Sequence, residues 1–454
     1  MTENERHIKN NKIQLANSLN IAAFLFFLSL GGLLSFIIPK QSVSEVEKRE
    51  LTPLPVYSFY ALMEEKYTDS LDLYYADNFP FRENWVLMTS SIKNKFGFRE
   101  NDLMIYNASK EVSPVDSIQV DSVNRKKSVK LDTLPQLPEK SSGIIIYNGR
   151  AFQRFHGSET IGLEYAEVIN AFRELLPDSI LVYSLIIPGP NDFYLPEKFS
   201  SSFMSKEKNS IDFISDNLDS TVVSVGAYAE IEPHKNEYLY FRTDHHWTAR
   251  AAYYAYRAFC KSAQLVPVDM SAYQLKVSRN YLGSLYNQTL DTRLKASPDS
   301  VEYFRIPIET QAFRYIDPSL DTMLKSSMIY ERIKGPSYMT FLGGDHPLIH
   351  ITTSNKNGRR IFILKDSFGN AFVPFLAMHY QDIFVADYRY FNKNVPDFIK
   401  RNKITDLLFI HNTFVVNSKF VITRERYLMR SGNGAPRLIA PDPIEVKSDS
   451  IPKD

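Results

Sequence analysis

Short apolar runs and helical patterns alternate along the chain from residue 143 onward. The runs typical of buried strands are ILVYSLIIP (180–188), RRIFILKDS (359–367), DIFVADYRY (382–390) and TDLLFIH (405–411). Helical spacing follows at 370–380 and 394–402. This alternation predicts βαβ units, and hence a three-layer α/β/α domain with a mostly parallel sheet across 143–415. In such sheets, functional groups collect at the carboxyl edge.

Two further patterns begin this predicted domain. GIIIYNGRAFQRF (143–155) places two β-type runs around Asn148-Gly149, which is a strong signal for a β-hairpin. Apolar residues then recur at helical spacing. They are Tyr165, Val168, Ile169, Phe172 and Leu176.

Composition excludes several classes of protein. The 454 residues carry 53 Lys and Arg against 52 Asp and Glu, so a net charge of +1 offers no global field for nucleic acid. Cys260 is the single cysteine, which rules out an intramolecular disulfide. The glycines form no phosphate-binding loop, so no cofactor is predicted.

An uncharged run, LNIAAFLFFLSLGGLLSFII, extends from Leu19 to Ile38. A helix of this length spans roughly 30 Å, the thickness of a bilayer core. A cleaved signal peptide usually has a shorter apolar region and an A-x-A-like site, which is absent here. We therefore favour an uncleaved transmembrane anchor at 19–39 over a cleaved signal or a buried core helix. The short tail 1–18 is expected in the cytoplasm, which makes the rest extracytoplasmic, in the periplasm or its equivalent.

The remaining boundaries follow from composition. A membrane-proximal helical segment is predicted at 40–112, with apolar positions at helical spacing around Pro80. Residues 113–142 are rich in Ser, Asp, Lys and Pro, which predicts an exposed, flexible insertion. The catalytic domain is expected at 143–415 and a C-terminal extension at 416–454.

A serine lies where a predicted strand meets a predicted helix. IFILKDSFGNAFVPFL ends the strand at Leu364 and begins the helix near Gly369, so Ser367 occupies a turn at the carboxyl edge of the sheet. There its hydroxyl is exposed, and backbone N–H groups at the helix start can stabilise an oxyanion. The alternative is that Ser367 or Asp366 only caps the helix.

The run DHHW begins at Asp244 and precedes a predicted helix with Thr248 as its N-cap. The D-x-H spacing lets Asp244 hold one nitrogen of His246 while the other faces a hydroxyl, as in an orienter, base and nucleophile. His245 is then expected to point elsewhere. A structural histidine beside a buried tryptophan explains either histidine alone, but explains the four residues together less well.

A third element, Gly189-Pro190-Asn191-Asp192, follows the predicted strand 180–188. Gly and Asn in such a loop commonly make only a turn. At the carboxyl edge of the sheet, the Asn191 amide could also reach a developing oxyanion.

These elements together resemble the SGNH esterase superfamily, whose usual order is Ser block, Gly block, G-x-N-D and D-x-x-H. Here G-x-N-D, D-x-H and Ser follow in a cyclic permutation of that order. More narrowly, the sequence resembles the DHHW protein family, related to membrane-anchored, SGNH-like proteins that O-acetylate alginate. The matching segments are RTDHHWTARAAYYAY, LGSLY (282–286), FLGGDHPL (341–348), KDSFGNAFVPFL (365–376) and DNFPFRENW (77–85). They span most of 40–415.

The resemblance implies roles for individual residues. Ser367 would be the nucleophile, His246 the general base and Asp244 its orienter. Asn191 and the N–H of Ser367 would stabilise the oxyanion, and two further motif residues are expected at the oxyanion or substrate. These are Gly189 and Asn370.

The chain departs from the superfamily pattern at two places. Lys365 replaces the glycine usual before D-S, which would bring an ammonium near the substrate. Tyr388 and Arg389 stand where the superfamily glycine would fall, which puts part of the oxyanion hole in question. Arg389 either binds an anionic sugar or forms a structural ion pair.

A zinc site is the competing chemistry. Asp345, His346 and His350 could join Asp244 and His245 around a metal ion. However, the proline between the two later histidines opposes a helix through them, and no H-E-x-x-H or cysteine pair is present. No metal is therefore predicted.

The predicted function is transfer of acetyl groups to a cell-envelope polysaccharide or exopolysaccharide. By the resemblance, a membrane-bound O-acyltransferase would relay the acetyl donor. A carbohydrate acetyl esterase would use the same acyl-serine, with water in place of a sugar hydroxyl. A non-catalytic polysaccharide-binding scaffold with a decayed triad is the alternative from a different class.

Overall fold

The computed structural model describes residues 3–38, 40, 43–44, 49–57, 66–82, 84–85, 88–89, 104–106, 143–197, 204–331, 335–430 and 432. They belong to two compact units. The first comprises 1–98 with 290–292, and the second comprises 99–289 with 293–454. The predicted insertion 113–142 and most of the C-terminal extension after Arg430 lie outside the described residues.

The first unit begins with a long helix. Its elements are α1 (Glu3–Ile37), β1 (Val43–Ser44), β2 (Arg49–Glu50) and α2 (Lys66–Asn78), with β1 and β2 antiparallel. Within α1, the window Ser18–Ser35 is long and apolar enough to cross a membrane, by length and composition alone. None of that window is buried within the protein. The helix is longer than the predicted span 19–39, because it already begins at Glu3.

The second unit opens with a three-stranded antiparallel sheet made of β3 (Met104–Tyr106), β4 (Ile144–Tyr147) and β5 (Arg150–Gln153). Asn148 and Gly149 connect β4 to β5 with φ angles of 47° and 70°. Positive φ at both central residues is what the Asn-Gly hairpin turn requires. The predicted hairpin is therefore confirmed.

The other elements of this unit follow in chain order. They are α3 (Glu159–Glu174), β6 (Leu181–Ile187), α4 (Asn191–Tyr194), α5 (Glu207–Asp216), β7 (Val222–Ser224), α6 (Ala227–Ile231), α7 (Ala249–Ser262), β8 (Gln274–Tyr281), α8 (Ser284–Thr289), α9 (Thr292–Ala296), β9 (Asp299–Arg305), β10 (Thr310–Tyr315), β11 (Met323–Ser326), β12 (Leu348–Thr353), β13 (Arg360–Lys365), α10 (Gly369–Leu376), β14 (Asp382–Asp387), α11 (Val395–Arg401), β15 (Asp406–Asn412), α12 (Thr413–Val416) and α13 (Lys419–Arg430). Short 3₁₀ turns lie at Glu232–His234, Met270–Ala272 and Tyr338–Thr340.

An eight-stranded sheet forms the centre of the unit, in the order β11-β10-β12-β14-β13-β15-β6-β7. The pairs β14-β13, β13-β15 and β15-β6 are parallel, as predicted. The pair β6-β7 is also parallel, although β7 was not assigned from the sequence. The pairs β11-β10, β10-β12 and β12-β14 are antiparallel, and β10, β11 and β12 were not assigned from the sequence. The predicted α/β fold with a large central sheet is confirmed.

Both faces of the sheet are buried. Along β13, Ile361 and Ile363 join one core with α7 and α10, while Phe362 and Leu364 join a second core with α3, α11 and α13. This follows because successive side chains of a strand point to opposite faces. The second core includes Val421 of α13. The packed domain thus continues to Arg430, past the predicted boundary at 415.

Three neighbouring parallel strands end at the same edge of the sheet. β6 ends before the Gly189–Asn191 loop, β13 ends before Ser367, and β15 ends at Asn412. Because β13, β15 and β6 are adjacent and parallel, these loops meet at one carboxyl edge.

Candidate active site

Ser367 lies on the turn between β13 and α10, and Asp366 fixes that turn. The Asp366 carboxylate accepts hydrogen bonds from the N–H of Phe368 at 2.8 Å and the N–H of Asn412 at 2.7 Å. Helix α10 has Phe368 at its N-cap position and no side-chain cap. The Ser367 hydroxyl is therefore not used for capping, whereas Asp366 organises the backbone around it.

The Ser367 hydroxyl instead contacts His246. Ser367 Oγ lies 2.8 Å from His246 Nε2, and His246 Nδ1 lies 2.6 Å from Asp244 Oδ1. All three residues are buried, with exposed fractions of 8%, 7% and 3%. A carboxylate can only accept, so Nδ1–H donates to Asp244 and Nε2 is left to accept the serine proton. The three side chains form one continuous hydrogen-bonded relay.

Asp244 is held by more than the histidine. Its Oδ2 accepts from Tyr281 Oη and from the N–H of Ser284, each at 2.8 Å, while Oδ1 also accepts from the N–H of His246 at 2.9 Å. Burial alone would raise the pKa of Asp244, but the two neighbouring imidazoles and these hydrogen bonds hold it well below its usual range. Asp244 is thus kept as a carboxylate.

Gly283, in the LGSLY segment, lets a second chain segment approach this carboxylate. A Cβ at Gly283 would lie 2.2 Å from Asp244 Cβ and 2.4 Å from its Oδ2. No side chain fits at that separation. The glycine is required for close backbone approach to Asp244.

The imidazole of His246 lies between two rings. The Tyr338 ring stacks on it with centroids 3.8 Å apart and an interplanar angle of 9°. The His245 ring lies 3.8 Å away with a tilt of 36°. His245 Nδ1 contacts Ser284 Oγ at 2.7 Å, so His245 is directed elsewhere than the serine, as expected. Tyr338 and Ser284 were not singled out from the sequence.

Trp247 joins the segment that carries His246 to the turn that carries Ser367. Its buried Nε1–H donates to the carbonyl oxygen of Phe368 at 2.9 Å. Helix α7 begins at Ala249 with Thr248 at the N-cap, as predicted. The Thr248 hydroxyl makes no cap bond; it donates instead to the carbonyls of Tyr238 and Leu239.

The G-x-N-D loop is held by buried groups. Asn191 Nδ2 donates to the carbonyl of Gln153 at 3.0 Å, which fixes the amide, and its Oδ1 is buried without a partner among the described residues. The N–H of Gly189 donates to Glu207 Oε2 at 2.5 Å. A Cβ at position 189 would lie 2.8 Å from Glu207 Oε1, so a side chain there would displace the Glu207 carboxylate. Asp192 accepts from the N–H of Glu207 at 3.1 Å, at the start of α5.

Glu207 is the buried carboxyl behind this loop, and it was missed from the sequence. Its Oε2 also accepts from the Thr413 hydroxyl at 2.5 Å, which connects the loops after β6 and β15. Burial, helped by the charge of Asp192, raises the pKa of Glu207 to about 7, although hydrogen bonds from Thr413 and Gly189 oppose that shift. Nothing in its helical sequence context distinguishes it from a surface glutamate.

A small cavity brings the three loops together. Its lining includes Gly189, Asn191, His245 and Phe368, with apolar walls from Leu285 and Phe414. The volume of about 10 Å³ is enough for roughly one water molecule. Asn191, the predicted oxyanion residue, thus shares a cavity with the chain neighbours of His246 and Ser367.

Lys365 and Arg389 belong to a buried ion-pair cluster. Lys365 Nζ lies 2.5 Å from Asp345 Oδ1 and 3.0 Å from Asp387 Oδ2, and Arg389 contacts the same two carboxylates at 2.7 and 2.8 Å. Asn370 Nδ2 also donates to Asp345, at 2.9 Å. Burial alone would lower the pKa of Lys365, but the two carboxylates raise it. The Lys365 side chain is 1% exposed, so its ammonium faces this cluster. Arg389 forms an ion pair, which is one of the two roles considered for it from the sequence.

The backbone at 388–389 is also engaged. The N–H of Tyr388 donates to the carbonyl of Lys365 at 3.3 Å, and the N–H of Arg389 donates to Asp387 Oδ1 at 3.1 Å. The Tyr388 ring packs in the second core against His411, with centroids 5.5 Å apart. Neither N–H substitutes for the superfamily glycine, which leaves Asn191 and the N–H of Ser367 as the oxyanion candidates.

The zinc alternative combined residues that have other partners. His350 Nε2 contacts Asp382 Oδ1 at 2.9 Å, and Asp345 belongs to the ion-pair cluster. Among the described residues, the His, Cys, Asp or Glu side chains close enough to share an ion are Asp244, His245 and His246, with ligand atoms within 4.8 Å of one another. His246 in that group is already bonded to Ser367.

Comparison with known proteins identifies the family. The sequence model of the DHHW protein family matches residues 118–386, more than half of the chain. The protein belongs to the DHHW family. A crystal structure of a DHHW family protein from Eubacterium siraeum is 34% identical, covers 64% of this chain and 96% of that one, and superposes with a TM-score of 0.59.

More distant structures are similar to a lesser degree. Bacillus cereus PatB1 is 20% identical over 61% of this chain and 98% of its own, with a TM-score of 0.53. PatB1 was also solved with a sulfonyl adduct, at 18% identity over 63% and 97% of the two chains, with a TM-score of 0.53. The O-acetyltransferase domain of Pseudomonas putida AlgJ is 14% identical over 62% and 96%, with a TM-score of 0.36. No curated protein matched the sequence.

Proposed function

We propose that this protein is a membrane-anchored, extracytoplasmic serine acyltransferase that moves acetyl groups onto an envelope polysaccharide. The observation that carries the proposal is the relay from Asp244 through His246 to Ser367, with separations of 2.6 and 2.8 Å. The contact between Ser367 and His246 is short enough for proton transfer, and the contact between His246 and Asp244 orients the imidazole. A decayed triad in a non-catalytic scaffold would have no reason to keep this geometry in a buried site.

The first half-reaction acylates the serine. Ser367 Oγ attacks the donor carbonyl while His246 Nε2 takes the hydroxyl proton, and Asp244 stabilises the resulting imidazolium. When the tetrahedral intermediate collapses, the bond from the carbonyl carbon to the leaving oxygen breaks. That oxygen receives the proton from His246, which restores the neutral base.

The second half-reaction is chemically the reverse with a new alcohol. His246 removes a proton from an acceptor hydroxyl, the acceptor oxygen attacks the acyl-serine carbonyl, and Ser367 leaves with the proton. In both halves the oxyanion is stabilised by the N–H of Ser367 and the amide of Asn191. Nδ2 of Asn191 has a second hydrogen besides the one donated to Gln153, so it can serve this purpose without breaking that bond.

Two observations support acetyl transfer rather than another acyl chemistry. The DHHW and DSFGN segments resemble proteins that O-acetylate alginate. The apolar window Ser18–Ser35 would hold the site beside a membrane-bound acyl donor, relayed by an O-acyltransferase partner. A carbohydrate acetyl esterase would differ only in using water as the acceptor.

The test traps the serine directly, with a sulfonyl fluoride as the probe because PatB1 carries a sulfonyl adduct. Peptide mass spectrometry should find the label on Ser367 in the wild-type chain and in the control S224A, whose hydroxyl contacts Ser215 at 2.9 Å. No label should form in S367A, and labelling should be greatly slowed in H246A. Unlabelled wild-type protein, or unchanged polysaccharide acetylation in cells that carry S367A, would refute catalysis.

A second measurement separates transferase from esterase. The acyl-serine is formed from a chromogenic acetyl ester, and an oligosaccharide acceptor is then added. Acetylated oligosaccharide in the products supports the transferase. Release of free acetate alone, at a rate independent of the acceptor, supports the esterase.

A further inference from the structure

Tyr338 makes the closest ring contact with the candidate base. Its ring lies parallel to the His246 imidazole, 9° between planes and 3.8 Å between centroids. Tyr338 is 7% exposed, and its hydroxyl points to the backbone beyond the relay, where it donates a long bond of 3.3 Å to the carbonyl of Phe368. The face of the ring, rather than the hydroxyl, is therefore what Tyr338 presents to the relay.

An aromatic face distinguishes the two states of a histidine. The face carries negative charge density, so it attracts an imidazolium, whereas a neutral imidazole gains only dispersion. The attraction is stronger in a buried site, because water does not screen it. His246 becomes positively charged whenever it holds the serine or acceptor proton. A contact that is stronger in that state than in the resting state accelerates the reaction.

We propose that Tyr338 is a positioning residue that stabilises the imidazolium of His246 through the face of its ring. The inference rests on the proposed function, since it concerns the same relay. Tyr338 complements Asp244: Asp244 acts in the plane of the imidazole at Nδ1, whereas Tyr338 acts on the face of the imidazole ring.

Charged and titratable groups face the stack from several elements of the described chain. His246 faces the following groups from the surrounding elements: Asp244, His245, Ser367 and Tyr338 itself, with Tyr281 behind Asp244. Asp244, Asp366 and Asp345 act on Tyr338, and together with burial, the largest cause, they raise the pKa of Tyr338 well above its usual value. The phenol therefore stays neutral across the range in which histidine titrates.

Tyr338 also fills space, so a structural role must be separated from an electrostatic one. Its ring packs edge-on against Phe341, with centroids 5.3 Å apart. Phe341 is equally enclosed, at 1% exposed, and offers a matched control from the same turn. F341L should disturb packing without removing an aromatic face from His246.

The experiment compares Y338F, Y338L, F341L and S367A in the full chain. Turnover of a chromogenic acetyl ester is measured as kcat and KM across the pH range of histidine titration, alongside the thermal unfolding midpoint. Y338F keeps the stacked ring and should stay within about threefold of wild type in kcat. Y338L should lose about 10- to 30-fold in kcat with little change in KM. The acidic limb of its pH–rate profile should move to lower pH, because the protonated base has lost a stabilising contact.

A purely structural role gives a different pattern. F341L should lower the amount of active protein without moving the acidic limb, and Y338L would then match it. If Y338L and F341L match in this way and S367A is inactive, the inference about Tyr338 is overturned but the proposed function is not. Turnover that survives in S367A would instead overturn the proposed function, and this inference with it.

Discussion

Gly283 offers the sharpest test of how Asp244 is placed. In G283A, the new Cβ would lie 2.2 Å from Asp244 Cβ. Carbon atoms in contact need about 3.5 Å, so one of the two segments must move by roughly 1.3 Å. Asp244 Oδ1 lies only 2.6 Å from His246 Nδ1, and such a movement breaks or misaligns that bond.

The expected loss can be bounded. Misplacement of a catalytic group by about 1 Å commonly costs about 100-fold in rate. Overpacking at a buried site costs about 1–3 kcal/mol in the free energy of unfolding. We therefore expect G283A to fold, with a lower unfolding midpoint, and to lose about 100-fold in kcat on a chromogenic acetyl ester.

The control is Gly226, where a Cβ would meet nothing within 4 Å. G226A should keep wild-type turnover, so the comparison separates the clash from the loss of a glycine. Turnover of G283A within about threefold of wild type would refute the reasoning. A clash at 2.2 Å should disturb the contact between Asp244 and His246, so unchanged turnover would mean that this contact is unimportant for the reaction.

Three further outcomes are expected. H246A should abolish ester turnover while H245A retains more, and selective loss in H245A, or loss on chelation with recovery by zinc, would contradict the assignment. The pKa of Glu207 is about 7 in the folded chain and 4.5 in the unfolded chain, so the folded chain binds its proton more tightly. The resulting stabilisation is complete below about pH 4.5 and is lost as the pH rises through 7. Thermal unfolding should show E207Q losing this dependence, worth about 3 kcal/mol, and an unchanged pH profile would argue against it. The full chain should remain in carbonate-washed membranes, whereas deletion of residues 1–40 should release folded protein, and a natural chain starting near residue 40 would contradict an uncleaved anchor.

The sequence predicts the parallel half of the sheet well, because strands buried on both faces read as uninterrupted apolar runs. TDLLFIH and RRIFILKDS are of this kind, and they became β15 and β13. The antiparallel strands are harder to find. β11 has mostly exposed residues, and β10 carries Arg314 and Gln311, so neither is a continuous apolar run.

The site divides in the same way. Asp244, His246 and Ser367 belong to short motifs, in which residue type and spacing carry the chemistry. Tyr338 and Glu207 reach the site only through tertiary packing, and no local pattern separates them from other buried residues. The environment of Lys365 depends on β14 pairing beside β13, which brings Asp387 next to it, and sequence alone does not give strand order.

The indole of Trp247 has a consequence for work with inactive variants. Its bond goes to the carbonyl of Phe368, a backbone group that no substitution of the relay side chains removes. The segment that carries His246 and the turn that carries residue 367 should therefore stay joined in S367A. Such a variant should hold an acceptor glycan without consuming its acyl donor. It is the form in which an unidentified polysaccharide could be captured from cell extracts and read out by its sugar composition.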